Sequence, residues 1–324
     1  MKPKVFVTRK LPEKALEMIK AECDMEINPN DRVLTKKELI SAVSDKDGLL
    51  CLLTDEIDEE VIDSGRNLRI IANYAVGYNN IDVEAATKRK IPVTNTPGVL
   101  TDTTADMAWA LIFTIARRVV EADKFIREGM YKGWGPMMFL GGDIYGKTLG
   151  VVGLGRIGKS VVRRAKGFDM KVLYFDAFRA DEKVEKELGI EYVSLEELLK
   201  ESDFVSIHVP LLPSTHHLIG ETELSMMKKT AYLINNSRGP VIDEEALVKA
   251  LRDKEIAGAA LDVFENEPEL SPGLADLENV VLTPHISSAS IETRTKMAVM
   301  AAENLLAGLK GIRPPNIVNP EVLE

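Results

Sequence analysis

Residues 149–176 read LGVVGLGRIGKSVVRRAKGFDMKVLYFD, and the order of their parts decides the fold. Leu149-Gly150-Val151-Val152 is a short apolar run of strand character. It leads into Gly153-Leu154-Gly155-Arg156-Ile157-Gly158, which has G-x-G-x-x-G spacing. Apolar residues at helical spacing follow (Ile157, Val161, Val162, Ala165), then a second strand over 171–175 that ends on Asp176. Each part suits the grip of a dinucleotide. Gly153 permits the tight strand-to-helix turn, Gly155 lets backbone approach a pyrophosphate, and Gly158 lets helix and strand pack closely. The helix that opens at Arg156 and Ile157 offers free N–H groups and a positive dipole end to phosphates. Asp176 stands where a carboxylate accepts hydrogen bonds from the adenosine ribose hydroxyls. Glycines alone often make only turns; strand, glycines, helix, strand and acid in this order specify the site.

Strands and helices alternate on both sides of this unit. Downstream, strands are expected at 191–193, 204–209, 231–235, 257–261 and 280–282, with helices at 194–201 and 244–252. Upstream, strands at 5–8, 25–27, 48–53, 68–72 and 92–95 alternate with helices at 12–20, 58–63 and 83–90, and with one opened by the capping box Thr35…Glu38. Such alternation implies parallel sheets with helices on their faces. The expected class is α/β with two doubly wound parallel-sheet domains. A Rossmann cofactor domain over 99–284 is inserted into a flavodoxin-like substrate domain made of 1–98 and 285–324. Thr96-Pro97-Gly98 marks a crossing between them. Residues 101–128 read as one long helix, and 291–310 as another that returns to the first domain. The stretch 129–145 breaks this regularity with glycines, Pro136 and large apolar residues including Trp134, so it reads as a lid or as an arm against a partner.

The chain has 324 residues, 45% hydrophobic and 28% charged, as in ordinary globular proteins with sizeable cores. A net charge of −10 argues against nucleic acid or an anionic membrane surface as the main partner. No apolar run approaches the about 18 residues of a membrane span. Cys23 and Cys51 are too few for a disulfide scaffold, and residues 1–7 form a charged lead into a strand, so a cytoplasmic protein is expected. His216-His217 lies on a Pro-Ser-Thr loop where neighbours are not expected to converge as ligands, and no metal is expected.

Three residues past the glycine motif carry chemistry. Arg238, Glu267 and His285 each follow a predicted strand, and ligands of doubly wound sheets sit beyond the carboxyl ends of strands. Reduction of a 2-keto acid builds negative charge on the carbonyl oxygen and needs a proton donor, for which histidine is suited near neutral pH. A neighbouring carboxylate orients it and favours its protonated form. An arginine fork grips the substrate carboxylate and polarises the carbonyl. Each residue alone also has a plain structural reading as an ion pair, a solvated acid or a satisfied histidine.

The chain resembles the D-isomer-specific 2-hydroxyacid dehydrogenases, and within them the glyoxylate/hydroxypyruvate reductases. The resemblance spans nearly the whole length, on AVGYNNID (75–82), NTPG (95–98), VVGLGRIGKS, MKKTAYLINNSRGPVID, LDVFENEP and LTPHISSAS. It implies that Arg238 binds and polarises the substrate, Glu267 is the partner acid and His285 the acid/base. The Val76 and Gly77 amides would hold the substrate carboxylate, with Leu53 and Trp134 shaping the pocket. Cofactor contacts are implied for Thr104, Val209, Pro210, Asp262 and Ser288. In glyoxylate-reductase relatives a tryptophan of the Trp134 loop reaches the neighbouring active site, which implies a homodimer. Asp176 would repel a 2′-phosphate, so NADH is expected, with Arg179 leaving NADP within reach. One departure is Ser287, where the family usually has glycine. Phosphoglycerate dehydrogenase is the alternative within the class, and a dinucleotide-sensing corepressor-like scaffold the alternative outside it. Formate dehydrogenase is disfavoured because that branch carries glutamine at the position of Glu267.

Overall fold

A computed structural model describes residues 2–324. They form two compact units, one of 2–100 with 289–324, the other of 101–288.

The first unit holds strands β1 (Lys4–Val7), β2 (Asp24–Ile27), β3 (Gly48–Leu52), β4 (Ile70–Tyr74) and β5 (Val93–Thr94). They pair in parallel in the order β2-β1-β3-β4-β5, the flavodoxin-like arrangement. Side chains alternate across a strand, and here both faces are covered. Val5, Val7, Leu50, Ile70 and Ala72 pack under helices Glu13–Glu22 and Ile291–Leu309. Phe6, Leu49, Cys51 and Ile71 pack under helices Lys36–Val43, Glu59–Ser64 and Val83–Lys88. The capping box is formed: the Thr35 hydroxyl accepts the Glu38 N–H while the Glu38 carboxylate accepts the Thr35 N–H. Helix Ile291–Leu309 belongs to this unit, and Ala298, Ala301 and Ala302 on its inner face are fully buried.

The second unit holds β6 (Thr148–Val152), β7 (Lys171–Phe175), β8 (Glu191–Tyr192), β9 (Phe204–Ile207), β10 (Tyr232–Asn235), β11 (Gly258–Leu261) and β12 (Val280–Leu282). They are all parallel, in the order β12-β11-β10-β9-β6-β7-β8. This is the Rossmann order with one further strand, and its direction of growth reverses at β6, between β9 and β7.

Three local expectations change. The helix expected over 101–128 is two, Thr101–Ala116 and Val119–Arg127, broken at Arg118 with φ 54°. Val119, Val120 and Ile126 prolong the apolar pattern across the joint, yet the second helix buries none of its residues. Helices Glu182–Leu188 and Glu221–Met226 escape a reading by hydrophobic period; each is short, and charged or polar side chains fill most of it. The second unit runs through Ser288 rather than ending at 284. The buried Asp262 carboxylate accepts the N–H groups of Ile286 and Ser287, which ties that segment to the sheet.

Candidate active site

The glycine turn follows β6 at the point where the strand order reverses. Gly153 has φ 98°, and a Cβ there would lie 2.8 Å from the His208 carbonyl carbon. A Cβ on Gly158 would come within 2.1 Å of the Gly153 oxygen, so helix Arg156–Ala165 reaches its place only with glycine there. Gly155 is different. Its φ is −68°, and a Cβ would meet nothing within 4 Å. No protein atom demands glycine at that point, which leaves room at the head of the helix as the condition to be kept. The Asp176 carboxylate accepts the N–H of Leu154 at 2.7 Å and so sits against this turn. Val209 and Pro210 follow β9 on the other side of the switch point, with Val209 Cγ1 2.9 Å from the position of a Gly153 Cβ. Thr104 is buried, and its carbonyl accepts the Asn236 side-chain N–H.

Three neighbouring loops at the carboxyl edge carry the three candidate residues: Arg238 after β10, Glu267 after β11 and His285 after β12. His285 adopts φ 52°, and its N–H donates to the carbonyls of Asp262 and Thr283. This left-handed turn brings Nδ1 to 2.9 Å from Glu267 Oε2. Burial alone would raise the Glu267 carboxyl pKa. The hydrogen bond and charge of His285, the Phe264 N–H and the Arg238 charge outweigh burial and hold it below its ordinary value. An ionised carboxylate only accepts, so it places a proton on Nδ1 and leaves Nε2 to exchange one. Burial lowers the Arg238 pKa and Glu267 opposes that effect; an arginine so placed stays cationic near neutrality. The guanidinium also donates to the Ser237 carbonyl at 2.7 Å.

Asp262 has a role that the sequence does not disclose. Its carboxylate accepts from the Thr283 hydroxyl, the Ile286 N–H, and both the N–H and hydroxyl of Ser287. Four such bonds occupy its acceptor capacity and fix the turn that presents His285. Ser287, the departure from the usual glycine, therefore adds a hydrogen bond inside the protein. Ser288 is half-buried on the same turn.

On the first unit, the loop after β4 is held through its carbonyls. Asn95 donates to the Val76 oxygen at 2.8 Å and Asn73 to the Gly77 oxygen at 3.0 Å. Among the described residues the Val76 and Gly77 N–H groups have no protein acceptor. Leu53 is 38% exposed on the loop after β3. Beneath it lies Asp55, which a motif search overlooks. It is buried, takes the Thr8 hydroxyl and the Leu52 N–H, and burial raises its pKa. Trp134, on the irregular segment 129–145 of the second unit, is 82% exposed.

Two other residues were not singled out by sequence. Asn236 leaves a buried Oδ1 without a partner among the described residues, beside Thr104 and in the loop that carries Arg238. The polar run Asn235–Arg238 directly after an apolar strand was its only signal. Burial pushes the His208 pKa down to about 3, and the ring shares a hydrogen bond with the Ser206 hydroxyl at 2.8 Å. It stays neutral at working pH and does not compete with His285 as an acid. The open cradle at Gly155, the free N–H groups at the head of the helix and the orphaned acceptor of Asn236 together fit a dinucleotide cofactor.

Comparison with known proteins agrees with this geometry. Residues 109–287 match the model of the D-isomer specific 2-hydroxyacid dehydrogenase NAD binding domain. A glyoxylate reductase of Korarchaeum cryptofilum is 58% identical, with 100% of this chain and 98% of that protein covered. Among solved structures, the TT0316 protein of Thermus thermophilus superposes with a TM-score of 0.91 at 46% identity, covering 97% of this chain and 99% of that one. An NADPH-dependent glyoxylate/hydroxypyruvate reductase of Sinorhizobium meliloti gives 0.86 at 32%, covering 98% and 97%. By the matched model and by relatives alike from end to end, this chain belongs to the D-isomer specific 2-hydroxyacid dehydrogenases.

Proposed function

We propose that this enzyme reduces glyoxylate or hydroxypyruvate to the D-2-hydroxy acid, that it favours NADH, and that it works as a homodimer in the cytoplasm. The observation that carries the reading is the 2.9 Å contact of His285 Nδ1 with Glu267 Oε2 on the loops next to Arg238. A bound nicotinamide supplies or accepts the hydride. Glycines 153, 155 and 158, with the N–H groups from Arg156 and Ile157 onward, would hold its pyrophosphate, and Asp176 its ribose. His285 Nε2 gives a proton to the forming alkoxide during reduction and takes one back during oxidation. Glu267 keeps the ring oriented and stabilises its charged form. Arg238 pairs with the substrate carboxylate and draws charge onto the carbonyl oxygen.

Two features support NADH. Asp176 puts a negative charge where NADP carries its 2′-phosphate. Arg179, the cation three residues beyond Asp176, is held in a two-pronged pair with Glu185, Nε to Oε1 and a terminal nitrogen to Oε2, both at 2.9 Å. The Glu185 carboxylate also accepts the buried Tyr174 hydroxyl. Support for a small keto acid comes from relatives named as glyoxylate reductases. The arm at 129–145 supports a dimer, because Trp134 and Met137 expose 82% and 78% of their area. The test is a steady-state panel of glyoxylate, hydroxypyruvate, pyruvate and phosphohydroxypyruvate, each with NADH and NADPH. Highest kcat/KM for glyoxylate or hydroxypyruvate with NADH is expected. A preference for phosphohydroxypyruvate would move the assignment to phosphoglycerate dehydrogenase, and no turnover at all would leave only a sensing role.

A further inference from the structure

His216 and His217 are adjacent in sequence, and adjacent side chains usually diverge. Here His217 takes φ 51°, which turns its ring onto that of His216, with centroids 4.0 Å apart and planes 30° from parallel. Glu265, far along the chain, comes to the same place, its Oε1 2.6 Å from His217 Nε2. One nitrogen from each ring and one carboxylate oxygen all lie within 4.8 Å of one another. Two ligands bound at ~2.1 Å to one ion are at most ~4.2 Å apart, so the set closes when the two rings rotate out of their stack to aim a nitrogen each at the ion.

We propose that His216, His217 and Glu265 bind one divalent transition-metal ion, at a site separate from the catalytic trio. The donor set is N₂O with imidazoles, which suits Zn²⁺, Co²⁺, Ni²⁺ or Cu²⁺ and does not suit Mg²⁺ or Ca²⁺. The supporting shell is already formed. Glu265 Oε2 accepts the Glu244 N–H at 3.1 Å, while the Glu265 N–H donates to the Glu244 carboxylate at 2.9 Å. The His217 N–H donates to the Pro240 carbonyl at 2.8 Å. Such outer contacts fix the orientation of metal ligands. Both histidines are exposed, so an ion can enter and water can complete its coordination. The site bridges the 216–217 loop and the loop that carries Glu267, and an ion there holds these two together.

The test is titration of the full, chelator-treated protein with Co²⁺, followed by its visible d–d absorption, and with Zn²⁺ in competition with a chromophoric chelator. Binding of one ion per chain, with a rise in melting temperature, is expected. Glu265→Gln should weaken binding at least about tenfold, but it also disturbs the contact with Glu244. His216→Ala is the cleaner variant, since the ring is exposed, and it should weaken binding by a similar factor. His285→Ala should leave affinity and stoichiometry unchanged. The proposal is overturned if the protein binds no ion up to about 1 mM, if His216→Ala binds as tightly as the wild type, or if His285→Ala abolishes binding.

Discussion

Glu267 serves two loops at once: Oε1 accepts the Phe264 N–H at 3.1 Å and Oε2 holds His285. Its depressed pKa keeps it ionised through the neutral range, so the imidazolium always has its counter-charge. The sign of a test follows. Reduction needs the protonated ring and oxidation the neutral one. Glu267→Gln keeps the shape and the Phe264 contact but removes the charge, so the ring loses its proton more readily. The reduction profile should then move toward acid, while oxidation is retained at that end. His285→Ala should lower both directions by ~10²-fold or more. A pH–rate profile with chemistry rate-limiting reads both variants, and an unmoved profile in Glu267→Gln would refute the pairing. Asp176 and Glu185 allow a second test. Asp176→Ser should narrow the gap in kcat/KM between NADH and NADPH. Adding Glu185→Gln should narrow it further by releasing Arg179, and Arg179→Ala in that background should cancel the added gain.

At the scale of elements, the three glycines separate ligand fit from fold. Gly155→Ala adds a methyl that meets no protein atom, so melting temperature should hold while KM for NADH rises about tenfold, a loss of ~1.4 kcal/mol. Gly158→Ala drives a methyl into the Gly153 carbonyl and should cost ~1–3 kcal/mol of stability, several degrees in a calorimetric scan. The strand, turn and helix were legible in sequence because they are contiguous and their spacing is set by local geometry. The alternation of apolar runs with amphipathic helices likewise disclosed both parallel sheets. Contacts between distant segments were not legible. Asp262 reads as a residue beside a ligand, yet its carboxylate is used up by 283–287, and nothing local announces that. Arg179 reads as a cation open to a phosphate, yet helix Glu182–Leu188, too charged to show a period, supplies the acid that ties it down. The break at Arg118 was hidden because apolar residues continue in step across it.

At the scale of the whole molecule, the chain is two doubly wound units, and among the described residues no helix is long and apolar enough to cross a membrane. In the segment 129–145, Met130, Tyr131, Trp134, Met137 and Leu140 are exposed, and the proposed dimer would cover them. Sedimentation should show a dimer at micromolar concentration, and Trp134→Ala should lower kcat/KM severalfold with little change in melting temperature. A fully active monomer would exclude the dimer reading. The most direct test of the account is the configuration of the glycerate formed from hydroxypyruvate and NADH by the wild-type protein. Membership of the D-isomer specific family predicts D-glycerate, and the proposed role of His285 predicts its loss in His285→Ala; L-glycerate, or product formed as well without His285, would contradict the account.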